Sequence, residues 1–149
     1  MTVDLRRATA DDVPAITALV TAAYSVYVPR MGRRPMPMLA DYGAVVAAQE
    51  TWVAVEDGAV VGVLVLEPEP DSLLVENVAV APHAQGRGVG RLLLDHAEDR
   101  AREHGAGDIR LYTHQTMTEN VALYRARGFV DDERRPDDGT ARVFLRKPV

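Results

Sequence analysis

The spacing of apolar residues changes period along the chain, and each change marks an element. Residues 3–8 alternate apolar and polar positions and predict a first strand. Val13, Ile16, Leu19, Val20 and Ala23 then repeat at helical spacing. Thr9 and Asp12, just ahead of them, are spaced for a capping box, and Pro14 fits this helix only in its first turn. Pro29, Pro35 and Pro37 break up residues 28–38, which read as a loop, and residues 39–48 read as a short second helix. Strands are expected at 51–55, 59–66 and 73–80. Asp57-Gly58 makes a tight hairpin between the first two, and Pro68, Pro70 and Asp71 mark the next turn.

Helical spacing returns at Val89, Leu92, Leu93, Ala97 and Ala101, up to a stop near His104-Gly105. A strand at 109–113 and a helix at 118–127 closed by Gly128 come next. Final strands at 129–132 and 141–145 flank a turn at Pro136-Asp137-Asp138-Gly139. The order is βααβββαβαββ. It predicts one α/β (mixed α+β) domain over residues 1–149, with a mixed sheet.

Composition narrows the function. The 149 residues are 47% hydrophobic and 26% charged, enough for one ordinary core. A net charge of -5 argues against a general nucleic-acid binder. With no cysteine there is no disulfide, thiolate nucleophile or cysteine metal site, so any thiol in the chemistry arrives on a ligand. Lys147 is the only lysine. The first seven residues hold no apolar core of a signal peptide, and no apolar run is long enough to span a bilayer, so a cytoplasmic protein is expected.

The most informative segment is Gln85-Gly86-Arg87-Gly88-Val89-Gly90, directly after a strand and directly before a helix. Glycines let backbone N–H groups approach a ligand, and a helix start adds unpaired donors and a positive dipole end. Arg87 and Arg91 lie at i and i+4 around that start, where cations oppose the macrodipole unless an anion binds between them. The dinucleotide pattern fails for want of a glycine at 91, and the P-loop pattern for want of Gly-Lys-Ser/Thr.

The segments Val78-Ala79-Val80-Ala81-Pro82 and Gln85 to Gly90 together resemble the acetyl-CoA signature of the GNAT superfamily of N-acetyltransferases. Gln85, Gly88 and Gly90 match its glutamine-or-arginine, glycine, glycine-or-alanine spacing. Downstream, Asn120-Val121-Ala122-Leu123-Tyr124-Arg125-Ala126-Arg127-Gly128-Phe129 is similar to the family's asparagine, leucine-tyrosine and glycine-phenylalanine segment. The resemblance implies a mostly antiparallel sheet of six to seven strands with helices on both faces. It implies that acetyl-CoA serves as acyl donor. The backbone of Val78, Ala79 and Val80 would take the pantetheine arm and polarise the thioester carbonyl. Amides of Arg87 to Arg91 would take the pyrophosphate, and Asn120 would contact the donor near its helix start.

Acetyl transfer to an amine needs a base for the amine, a donor to the oxyanion and an acid for the leaving thiolate. Tyr124 matches the family tyrosine near the coenzyme sulfur, and a phenol is protonated at neutral pH. Glu76 interrupts an apolar strand and, by simple alternation, shares a face with Val78 and Val80. Burial there would raise its pKa toward that of a useful base, acting directly or through water. His83, His96, His104 and His114 have no metal-ligand spacing, and no metal is expected. Thr116 and Glu119 fit a second capping box.

For the acceptor, Tyr24, Tyr27, Arg30, Arg33, Arg34, Met36 and Met38 cluster in the first helix and the loop after it. The acceptor is expected to be a small-molecule or peptide amine, with no nucleic-acid or membrane partner, on a monomer or homodimer. A non-catalytic acetyl-CoA sensor of the same fold is the alternative. A phosphate-transfer protein lacks the lysine and metal-binding acids it would need near the glycine turn.

Overall fold

A computed structural model of the chain describes residues 2–135 and 138–149. The strands are β1 (Val3–Arg7), β2 (Glu50–Glu56), β3 (Ala59–Glu69), β4 (Ser72–Val80), β5 (Asp108–His114), β6 (Val130–Asp131) and β7 (Arg142–Pro148). The helices are α1 (Val13–Tyr24), α2 (Val28–Met31), α3 (Tyr42–Ala48), α4 (Val89–Glu103) and α5 (Thr118–Ala126). Among the described residues the strands form one seven-stranded sheet, ordered β1-β2-β3-β4-β5-β7-β6. Only β4 and β5 run parallel; the other neighbours are antiparallel, so the sheet is mixed and mostly antiparallel, as expected.

Local chemistry sets several boundaries. The β2–β3 hairpin turns at Asp57 (φ 52°) and Gly58 (φ 79°), the left-handed pair that a two-residue turn requires. Pro14 lies in the first turn of α1, where its missing N–H has no intrahelical role. Thr9 N–H donates to Asp12 Oδ2 at 2.7 Å, and Arg6 clamps the same carboxylate at 2.8 and 2.9 Å.

Three expectations need correction. Residues 28–38 are not all loop: Pro29 opens the single turn α2, and Gly32 (φ 70°) closes it. The next helix starts at Tyr42 rather than Leu39, because the Asp41 side chain caps it by accepting from Ala44 N–H at 3.2 Å. The last strand runs on to Pro148 and β6 is only two residues long. Pro136 and Asp137 of the expected turn between them lie outside the described residues.

Helices cover both faces of the sheet. On one, α4 packs so closely that a Cβ added to Gly62 of β3 would lie 2.9 Å from Leu93 Cδ1 and 3.1 Å from Val89 Cγ1. On the other, the Tyr24 hydroxyl at the end of α1 donates to Asn77 Oδ1 of β4 at 2.8 Å. The core between these layers includes the fully buried Ile16, Val20, Leu64, Leu66, Leu73, Leu93, Ile109 and Leu145.

Charged clamps tie α4 to its surroundings. Glu50 of β2 accepts from Arg100 Nε at 2.6 Å and meets His104 Nε2 at 3.0 Å. Glu98 is bound by Lys147 Nζ of β7 at 2.9 Å and by Arg127 Nε, just past α5, at 2.7 Å. Among the described residues no helix is long and apolar enough to cross a membrane.

Burial pushes the Glu50 carboxyl up, but hydrogen bonds from Arg100, Trp52 and His104 outweigh it and hold the pKa at about 2. A carboxyl lowered on folding stabilises the fold above its unfolded pKa of about 4.3, and the effect fades as pH falls toward the folded value. Glu50→Gln should therefore cost about 1–3 kcal/mol in urea unfolding at pH 7. The deficit should shrink as the pH is lowered from about 4.3 toward 2. A deficit independent of pH would show that the clamp does not depend on the ionised carboxylate.

Candidate active site

The site begins with a fault in the sheet. Along β3 and β4, Val65 opposes Asn77 and Leu66 opposes Val75, so Glu76 is an extra residue, a bulge. On the other edge of β4, pairing with β5 covers only Ser72 to Val75 and ends at the Val75–Leu111 pair. Strand β5 continues against β7 as far as His114. The two parallel strands thus part at Glu76, and the edge of β4 from there to Val80 turns toward a cleft.

The bulge also corrects the expected placement of Glu76. Strict alternation would put it beside Val78 and Val80, but the extra residue shifts the phase. Glu76 lines one cavity with Val65 and Asn77, whereas Val78 and Val80 line another. The two cavities measure about 260 Å³ and 360 Å³, and Tyr24 borders both.

The larger cavity gathers much of the sequence signature. Val78, Ala79, Val80, Gln85, Gly86, Gly90, Asn120 and Tyr124 all line it. Gln85 Nε2 donates to the Val80 carbonyl at 3.1 Å, which ties the turn to the strand end. Gly86 (φ 78°) and Gly88 (φ 88°) are left-handed, a conformation that side chains resist, and Gly88 caps α4. Helix geometry leaves the N–H groups of Val89, Gly90 and Arg91 without intrahelical acceptors. The Val89 side chain belongs to the core, so it offers a ligand only its backbone. Arg87 forms an ion pair with Glu56 of β2, and Arg91 is exposed. The arginine pair expected to face a shared anion is thus partly committed to the protein itself.

Tyr124 is buried, with its ring edge against Phe129 at 5.7 Å between centroids. Burial and then nearby Tyr27 push its pKa well above that of a free phenol, so it stays protonated. Asn120 is the third residue of α5 and not its cap, a position held by Met117. Tyr27 of the expected acceptor group borders this cavity instead, as does Asn120. The expected Thr116–Glu119 capping box does not form. Thr116 turns back to His114, at 2.8 Å between Oγ1 and Nδ1, and Glu119 binds Arg30 at 2.7 Å.

The smaller cavity holds Glu76. Its Oε2 is buried and has no hydrogen-bond partner among the described residues. Burial, then the charge of Glu67, raises its pKa, and a hydrogen bond with Gln49 acts the other way. Arg33 and Met36 from the segment after α2 line this cavity, as does His114. Met38 is not among its lining residues, and Arg30 is engaged with Glu119 and stacks over Tyr27 at 5.3 Å. His83 is exposed at the glycine turn, His96 packs on Trp52 at 4.2 Å, and His104 binds Glu50.

A polar chain that periodicity does not single out joins the cavities. The Tyr24 hydroxyl donates to Asn77 Oδ1, Asn77 Nδ2 donates to the Tyr42 hydroxyl at 3.1 Å, and Tyr42 donates to the Pro37 carbonyl at 2.6 Å. The available signal was Asn77 beside Glu76, two adjacent polar residues in an apolar strand.

A family model described as the acetyltransferase (GNAT) family matches residues 15–129. The chain belongs to this family. An amino-acid acetyltransferase of Ralstonia nicotianae is 37% identical over 130 residues, 85% of this chain and 26% of that protein. A streptothricin acetyltransferase of Streptomyces lavendulae is 42% identical over 57 residues, 38% of this chain and 30% of that protein. The chain spans less than a third of the length of either relative. A PaiA N-acetyltransferase from Thermoplasma acidophilum, solved in complex with coenzyme A, superposes over the whole of both chains with a TM-score of 0.83 at 16% identity, a likeness of fold.

The polar chain is testable by itself. Tyr42→Phe leaves Asn77 Nδ2 and the Pro37 carbonyl without their partner and should lower the unfolding free energy by about 1–3 kcal/mol. Equal urea midpoints for the variant and the parent protein would mean that the chain does not support the fold.

Proposed function

We propose that the protein is an N-acetyltransferase that moves the acetyl group of acetyl-CoA to a primary amine by direct attack. The observation that carries this is the open edge of β4 from Glu76 to Val80. It runs into the glycine turn at the start of α4, with Tyr124 on the side of the larger cavity and Glu76 on the smaller.

The residues fit the donor by their chemistry. An unladdered strand edge offers N–H and C=O groups to an extended amide arm. Left-handed Gly86 and Gly88 and the α4 start offer amides to a pyrophosphate. The 360 Å³ cavity lies between them. Acetyl-CoA, when bound, supplies an acyl carbon on a good leaving group.

Glu76, or a water it positions, accepts the proton of the attacking amine as nitrogen bonds to the acyl carbon. Its raised pKa and unpaired buried oxygen suit that task. Backbone N–H groups of the bulged strand stabilise the developing oxyanion. Tyr124 then gives its proton to sulfur as the carbon–sulfur bond breaks, for which a phenol kept neutral by burial is suited.

Thiol release with a panel of amines tests the reading. Turnover with at least one amine is expected. Acetyl-CoA binding without turnover on any amine, peptide or aminoglycoside would instead make the protein a sensor. Tyr124→Phe should lower kcat roughly 100-fold, within the usual span of proton-transfer catalysis, with KM for acetyl-CoA nearly unchanged. A normal rate would remove Tyr124 from the mechanism. Because the base must be ionised, kcat/KM should fall as pH drops through the raised Glu76 pKa, above the usual carboxylate range. Glu76→Gln should abolish that acidic limb along with most of the rate; a surviving limb would assign it to another group.

A further inference from the structure

The smaller cavity carries more information than a place for an amine. Its acid, Glu76, is half-buried, with one fully buried oxygen that has no hydrogen-bond partner among the described residues. Its two arginines come from different walls. Arg33 is exposed and follows α2; Arg142 is half-buried and begins β7. Between them the lining is mostly apolar, including Met31, Met36, Leu39 and the ring of Tyr112.

Contacts within the protein brace parts of these walls. The Tyr42 hydroxyl holds the Pro37 carbonyl at 2.6 Å, and Met38 N–H donates to the Pro35 carbonyl at 3.0 Å. Arg142 lies in register with His114, and its guanidinium stacks over Tyr112 at 4.9 Å. Asp138 lies near enough to feel Arg142, but its carboxylate is held chiefly by the Thr140 hydroxyl and amide.

We infer that the acceptor is an amine carrying both an apolar body and a carboxylate, with the amine directed to Glu76 and the carboxylate to Arg33 and Arg142. A guanidinium pairs with a carboxylate through paired, charge-assisted hydrogen bonds, which a neutral or cationic acceptor cannot supply. Two cations also repel a polycationic acceptor. A cavity of about 260 Å³ has room for a small amino carboxylate whose two charged groups lie at opposite ends. The inference rests on the acetyltransferase reading above.

The test uses matched pairs that differ only by a carboxylate at the far end of an apolar body from the amine: 6-aminohexanoate with pentylamine, and 4-(aminomethyl)benzoate with benzylamine. A polycationic aminoglycoside completes the set, and acetyl-CoA binding is measured separately by calorimetry. In at least one pair, kcat/KM should favour the carboxylate by roughly tenfold or more, with the aminoglycoside poorest. Arg33→Gln combined with Arg142→Gln should bring the ratio in that pair close to one. If this double variant does not fold by its melting curve, Arg33→Glu at the exposed position should shift the same ratio in the same direction.

Preference for the decarboxylated partner in both pairs, or a ratio that survives the substitutions, overturns the inference. Turnover of none of these compounds by a protein that binds acetyl-CoA overturns it and leaves the donor site standing. Failure to bind acetyl-CoA overturns both readings.

Discussion

The end of the β4–β5 ladder at Val75–Leu111 is the constraint on which the rest of the site depends. A parallel pair buried between helices would normally continue to the strand ends. Here one extra residue in β4 rotates the strand so that its far edge diverges from β5. The divergence frees backbone donors and acceptors in the interior and makes room for two cavities. It also leaves one carboxylate oxygen buried without a hydrogen-bond partner among the described residues. Helices α4 and α1 cover opposite faces of these strands on either side of the opening. Gly62 helps by letting α4 approach within side-chain contact of β3.

The two cavities are built from different materials. The larger relies on main chain: the β4 edge, the left-handed glycines and the amides at the α4 start. The smaller is lined by side chains from the segment after α2, from the bulge and from the β5–β7 pair. Main-chain sites demand particular residues only where the backbone must bend or be approached closely. They therefore leave a compact pattern such as Gln85 to Gly90. Side-chain sites assembled from distant segments leave none.

This difference explains what was legible. Periodicity and turn chemistry identified α1, α4, the Asp57-Gly58 hairpin and the succession of strands β2, β3 and β4, because each is set by local spacing. The glycine turn and the Asn120–Phe129 segment pointed to the family before any coordinates. Simple alternation failed at Glu76, since a bulge changes phase and period-two reasoning assumes none. The short turn α2 was hidden because prolines were read as breakers, although Pro29 occupies a first-turn position where proline is at home. Thr116 and Glu119 had the right spacing for a cap, but each found a stronger partner, His114 and Arg30, that one-dimensional spacing cannot reveal. The chain from Tyr24 through Asn77 to Tyr42 spans residues 24–77 and exists only in the folded molecule.

The ion pair between Lys147 and Glu98 has a consequence of another kind. Lys147 carries the only side-chain amine in the sequence, and that amine is occupied in fastening β7 to α4. Under the proposed reading, the thioester reagent thus meets almost no lysine surface to modify by accident. The protein's other side-chain cations at neutral pH are guanidinium groups, which do not compete with amines for an acyl carbon. The same scarcity makes the molecule a clean background for labelling. An amine-directed reagent that reaches a side chain can report only on Lys147, and so on whether that fastening is open.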